Sequence, residues 1–232
     1  MPPESIDPAG AQGIPAPVRR TWLHRAALLI LASGLGVGAG WLGFTEPWRA
    51  QVPEPAPLPG VLWPNPAPVG AFTLQDHHGG AFTRDRLEGA WTFMFFGYTH
   101  CPDICPTTLA TLRRVEHDLA DHVTAPRQHV LISVDPTRDT IEHLAGYVSS
   151  FGPAFLGVTG SDGELSKLAR DVGAVFFRGE PESDGSYLVD HTASIMLIDP
   201  RGRLVALFGM PHDAGLIAAR FLDLERAVLS SG

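Results

Sequence analysis

Trp91-Thr92-Phe93-Met94-Phe95-Phe96-Gly97-Tyr98-Thr99-His100-Cys101-Pro102-Asp103-Ile104-Cys105-Pro106 holds both cysteines of this 232-residue chain at the end of a strongly apolar run. The run from Trp91 to Phe96 is short, aromatic and closed by Gly97, a pattern that predicts a buried central strand rather than a helix. Beyond it, Leu109, Leu112, Val115 and Leu119 recur at three- and four-residue intervals, and Pro106 suits a first helical position. The two sulfurs are therefore expected where a core strand ends and a helix begins. There the helix N-terminus favours a thiolate, the form that attacks disulfides and binds soft metals.

The remaining elements follow from periodicity and turn residues. Phe72, Leu74, Ala81 and Phe82 flank Asp76-His77-His78-Gly79-Gly80, which predicts a hairpin at the start of the folded domain. Val130 to Val134 and Phe155 to Val158 read as further buried strands. Asp139 with Glu142, and Ser161 with Glu164, have capping-box spacing ahead of two helices. Ala174–Phe177 and Tyr187–Val189 predict a second hairpin. Ser194–Ile198 pairs with Leu204–Phe208 across Asp199-Pro200-Arg201-Gly202, and an amphipathic helix closes the chain from Ala214 to Leu229. Alternating strands and helices followed by a hairpin predict an α/β protein with a mixed central sheet flanked by helices, the thioredoxin-like arrangement.

Outside that domain, residues 1–25 read as a cytoplasmic tail rich in Pro, Ala and Gly, with Arg19, Arg20 and Arg25 near its end. Residues 26–44 are uncharged and long enough to cross a hydrocarbon core, so a single transmembrane helix is expected. The arginines on its N-terminal side predict that the remainder of the chain lies outside the cytoplasm, anchored to the inner membrane and facing the periplasm if the source is a bacterium. Residues 45–68 form a Pro-rich linker, and residues 69–232 the thioredoxin-like domain. The formal net charge of −8 argues against a nucleic-acid partner.

Two cysteines in one short motif staple nothing distant, so they read as redox or metal chemistry. At one helical turn their Cα atoms lie about 6 Å apart, within reach of a disulfide and of one shared metal ion. The third intervening residue departs from the Cys-x-x-Cys of thioredoxin-like reductases. Two thiolates alone hold Cu(I), and a selective site recruits an imidazole besides. Of the ten histidines, His77 and His78 fall in a turn, and His117, His122, His129 and His143 fall on polar faces or ends of helices. His100 is adjacent to Cys101 and expected to point away from its sulfur. His191 precedes a core strand at the connection that faces the redox motif in thioredoxin-like folds. With no proline from Glu182 to Asp199, a side chain has room to approach the sulfurs. Asp135 reads as a strand-end turn residue, and the four methionines form no thioether cluster.

Gly97-Tyr98-Thr99-His100-Cys101-Pro102-Asp103-Ile104-Cys105-Pro106, Ile132-Ser133-Val134-Asp135-Pro136, and Val189-Asp190-His191-Thr192 leading to Leu197-Ile198-Asp199-Pro200 together resemble the Sco/SenC copper chaperones of cytochrome c oxidase assembly. The resemblance covers most of Val69 to Leu229. It implies copper bound by Cys101, Cys105 and His191, and a role in maturing the binuclear copper site of oxidase subunit II, served by a periplasmic copper donor and a thiol reductant. The competing reading is a thiol-disulfide oxidoreductase that cycles Cys101 and Cys105 on that subunit without delivering metal. A peroxidase leaves His191 without a role.

Overall fold

All seven residues of strand β4, Trp91–Gly97, are buried, as a strand covered on both faces must be. Each of its large side chains contributes about 1.5–3 kcal/mol of burial. The computed structural model describes Leu62 and residues 65–230. The tail, the membrane span and most of the linker expected from the sequence lie outside those residues. Among the described residues no helix is long and apolar enough to cross a membrane.

In chain order the elements are β1 (Ala67–Pro68), β2 (Thr73–Asp76), β3 (Ala81–Thr83), a 3-10 turn, β4, α1 (Ile104–Leu119), β5 (Arg127–Ser133), α2 (Ile141–Ser149), β6 (Phe155–Thr159), α3 (Asp162–Asp171), β7 (Phe176–Arg178), β8 (Val189–His191), β9 (Ile195–Ile198), β10 (Arg203–Phe208) and α4 (Ala214–Ser230). Eight strands make one sheet in the order β1-β10-β9-β4-β5-β6-β2-β3, while β7 and β8 form a separate two-stranded ribbon. Strands β4, β5 and β6 run parallel, and β9 runs antiparallel to β4. The expected mixed α/β architecture is therefore present, with the N-terminal hairpin formed by β2 and β3.

Register explains why the chemistry collects at one edge. Phe95 lies opposite Leu131 of β5 and Ile195 of β9. The C-terminal ends of the parallel strands β4 and β5 thus meet the N-terminal end of the antiparallel β9. Whatever follows β4 and whatever precedes β9 are brought together, at the strand ends where open α/β sheets bind ligands. Aromatic packing holds α4 against β4: Phe221 lies 5.1 Å from the Trp91 ring and 5.5 Å from Phe93.

Several local expectations are corrected. Helix α1 begins at Ile104, so Pro106 occupies the first turn rather than the first position. Its missing N–H is harmless there, because the first four helical N–H groups have no intrahelical acceptor. Thr140, not Asp139, caps α2, accepting from His143 N. The Asp139 side chain is instead buried. Ser161 caps α3 as expected, but the Glu164 carboxylate accepts from Thr73 N at 2.7 Å rather than completing a box. His129 is not a helix-end residue: it sits in β5, fully buried between the Phe93 and Phe155 rings, with Nε2 3.0 Å from Glu116. Sheet pairing also starts inside the Pro-rich stretch, where Ala67 and Pro68 pair with β10 at an edge that tolerates a proline.

Candidate metal centre

Helix α1 presents Cys105 from its first turn, and Cys101 lies in the preceding loop, where its N–H donates to Tyr98 O at 3.3 Å. Cys105 is fully buried, Cys101 is 9% exposed and His191 is part-buried, so access to the site lies along Cys101 and His191. Gly97 is the device that lets the second sulfur approach the sheet. A Cβ there would stand 2.9 Å from Cys105 Sγ and 2.9 Å from Phe95 Cε1, closer than side chains pack.

His191 arrives from the ribbon. It is the last residue of β8, opposite Phe176 of β7, rather than a residue of the connecting loop. Its Nε2 lies 3.4 Å from Cys105 Sγ, while Nδ1 donates to Thr192 O at 3.2 Å. That bond selects the tautomer whose Nε2 lone pair faces the sulfur. Phe95 and Tyr98 stand edge-on to the imidazole, with ring centroids at 5.6 Å and 6.0 Å. Burial depresses the His191 pKa, so the ring is neutral and available as a donor.

Burial opposes the thiolate expected at this helix start. Burial, followed by a hydrogen bond with Cys101, pushes the Cys105 thiol well above the usual thiol range. A bound cation would supply charge that stabilises this thiolate, and proton release would accompany its binding.

The donor atoms of Cys101, Cys105 and His191 all lie within 4.8 Å of one another. An ion about 2.3 Å from sulfur and about 2.0 Å from nitrogen requires a sulfur–nitrogen separation of about 3.5 Å, close to the distance between Cys105 and His191. Two soft sulfurs and one imidazole fit a soft or borderline transition metal. Of the histidines set aside above, His100 does point away from this group, with its Nδ1 3.5 Å from Asp139 Oδ1.

A set of residues that pattern reading missed holds the ribbon over the sulfurs. Asp135, read as a turn residue, is fully buried. It accepts from Tyr187 Oη at 2.7 Å and pairs with Arg138. The Arg138 guanidinium lies 3.6 Å from the Tyr187 ring centroid and donates to Tyr187 O at 3.0 Å. Val189 N donates to Tyr98 Oη at 3.3 Å, and Arg178 Nε to Val134 O at 2.9 Å. Neither Tyr187 nor Arg138 stands at a recognisable spacing from His191; of this group only Asp135, before Pro136, was legible, and only as a strand-end turn residue. Beside His191 is a pocket of about 250 Å³ lined in part by Val175 and Phe177, which are 73% and 69% exposed.

Comparison with known proteins gives the family of the chain. The SCO1/SenC family model matches residues 64–224. The human mitochondrial SCO2 homolog is 36% identical over 227 residues, covering 95% of this chain and 83% of that protein. A copper-bound ScoI structure from Arabidopsis thaliana superposes with a TM-score of 0.65 at 35% identity, covering 69% of this chain and 99% of that one. A copper-bound ScoI structure from Bradyrhizobium japonicum gives 0.58 at 40% identity, over 69% and 99%. With its family match spanning the whole sheet and the strand-end motif, the chain belongs to the SCO1/SenC family.

Proposed function

We propose that this chain is a membrane-anchored copper metallochaperone that binds one copper ion through Cys101, Cys105 and His191 and assists assembly of the binuclear copper site of cytochrome c oxidase subunit II. The observation that carries the reading is the imidazole aimed at a buried thiol: Nε2 faces Cys105 Sγ at 3.4 Å, held there by the Nδ1 bond to Thr192 O. Burial raises the Cys105 thiol, so a bound cation would favour its thiolate, which suits a metal ligand. Copper bound in related ScoI proteins supports the choice of metal. A trigonal set of two sulfurs and one nitrogen suits Cu(I) and also holds Cu(II).

In this reading the chain's own residues divide the work. Cys105 and His191, packed against Phe95 and Tyr98, hold the cargo from the protein side. Cys101, the more exposed sulfur, is the donor that an incoming ligand of subunit II displaces first. Exposed Val175 and Phe177 line the pocket beside His191 and offer a partner apolar surface. A copper donor and a thiol reductant in the periplasm keep the site loaded and reduced, and the N-terminal helix tethers the domain to the inner membrane.

The test is anaerobic transfer from the Cu(I)-loaded full chain to an isolated, reduced subunit II domain, with His191→Ala in parallel. Copper moves from the wild type. The variant keeps a reversible Cys101–Cys105 disulfide, loses Cu(II) affinity most strongly and fails in oxidase maturation. A wild type that transfers no copper yet reduces an oxidised subunit II domain would identify the oxidoreductase instead.

A further inference from the structure

We propose that the chain carries a second metal site, formed by His100, Asp139 and His143, which takes a divalent ion of borderline softness, Cu(II) in preference to Zn(II). The donor atoms of the three side chains lie within 4.8 Å of one another, the same spread as those of Cys101, Cys105 and His191. They come from different parts of the chain: His100 from the loop after β4, Asp139 from the turn after β5, and His143 from the first turn of α2. The His100 and His143 rings lie nearly parallel, 19° apart with centroids at 5.4 Å, and His100 Nδ1 is 3.5 Å from Asp139 Oδ1.

Asp139 gives the group its character. The residue is fully buried, and its carboxylate accepts from Thr99 N at 2.9 Å, Thr99 Oγ1 at 2.6 Å and Ser133 Oγ at 2.6 Å. Those donors are neutral, so they orient the carboxylate without cancelling its charge. The basic side chain facing it is His100, whose Nδ1 is 3.5 Å from Asp139 Oδ1 and 3.1 Å from Thr99 Oγ1. A carboxylate has about four acceptor positions, and the three bonds leave one for a cation. Oriented first ligands supported by hydrogen bonds from behind are what metal sites require. The two histidines are exposed, so an ion reaches them from solvent and the rings have freedom to close on it.

The donor chemistry separates this site from the thiol pair. Two imidazoles and a carboxylate are nitrogen and oxygen ligands that suit Cu(II), Ni(II) and Zn(II), and the general affinity order puts Cu(II) first. Thiolates favour Cu(I). Because His100 and Cys101 are consecutive, an ion held by the outer group sits beside the entrance to the inner one. The inference rests on geometry outside Cys101, Cys105 and His191 and stands whether or not those three bind copper.

The experiment uses the full chain with Cys101→Ser and Cys105→Ser, which removes the thiol site. Cu(II) and, separately, Zn(II) are titrated against a competing chelator, and the Cu(II) form is examined by electron paramagnetic resonance. One equivalent of Cu(II) is expected to bind with imidazole nitrogen couplings. Adding His143→Gln, an exposed change that leaves the Thr140 cap intact, is expected to weaken binding by about tenfold or more. His117→Gln, on a side chain that is 90% exposed, is the control and changes nothing. Equal affinity and identical spectra with and without His143→Gln would overturn the proposal, as would failure of the serine background to bind Cu(II).

Discussion

Replacing Gly97 with alanine displaces a sulfur without removing any donor atom. Gly97 does not have a positive φ, so its backbone admits any residue and space alone is at issue. The new Cβ would meet Cys105 Sγ and Phe95 Cε1 at 2.9 Å and Leu131 Cδ1 at 3.1 Å, whereas ordinary contact lies at 3.4–4 Å. The sulfur and the ring must each retreat by about 0.5 Å and Leu131 by about 0.3 Å in a core that packs at crystal density. Overfilling of this kind costs about 1–3 kcal/mol. For a chain of this size that lowers Tm by roughly 2–12 °C. Metal–ligand distances tolerate only about 0.2 Å, so the displaced Cys105 also weakens Cu(I) binding. Calorimetry and competitive Cu(I) titration measure the two effects. Gly146→Ala is the control: nothing lies within 4 Å of a Cβ there, and removing a helical glycine stabilises by about 0.5–1 kcal/mol without touching copper affinity. A Gly97→Ala protein with wild-type Tm and wild-type Cu(I) affinity would refute the claim that this glycine makes room for the sulfur.

Glu116 is partly buried, which works against its charge, but hydrogen bonds from His129 and Arg127 outweigh that and hold its pKa down to about 2. Because the folded value lies below the unfolded 4.5, the carboxylate's stabilisation is present above pH 4.5 and is lost as pH falls toward 2. Glu116→Gln should therefore lower the urea midpoint at pH 7 and much less at pH 3, and a difference that does not change with pH contradicts this. Oxidation to the Cys101–Cys105 disulfide takes two electrons from the pair and consumes both sulfur donors, so high-affinity Cu(I) binding should vanish and return with a reductant. Equal binding by the oxidised and reduced chains would move the site elsewhere. Protease added to intact spheroplasts should digest the domain after the linker, and its protection would mean that the expected topology is reversed.

The strand–loop–helix unit around Cys101 and Cys105 was legible because its signals are local. A run of buried aromatics, a closing glycine and a three-and-four-residue apolar repeat each act within a few residues, where backbone preference and burial pattern agree. The last hairpin and α4 were legible for the same reason. Capping was less so: Asp139 with Glu142 has the spacing of a box, yet tertiary structure draws Asp139 inward to Thr99 and Ser133 and leaves the cap to Thr140. His129 shows the same limit, since its surroundings of Phe93, Phe155 and Glu116 come from three other elements.

By itself the sequence determined the two cysteines in one short motif, the core strand that leads into them and the mixed α/β class. It also nominated His191 through its place before a core strand and through the family resemblance. Only the tertiary structure decided that the imidazole meets Cys105, because that contact depends on β9 running antiparallel to β4 and on the Asp135–Arg138–Tyr187 group clamping the ribbon. It also decided how deeply Cys105 is buried, and that His100 turns toward Asp139 and His143. Each of these joins residues distant in the chain, and such pairings are set by sheet register and packing, which no local spacing encodes.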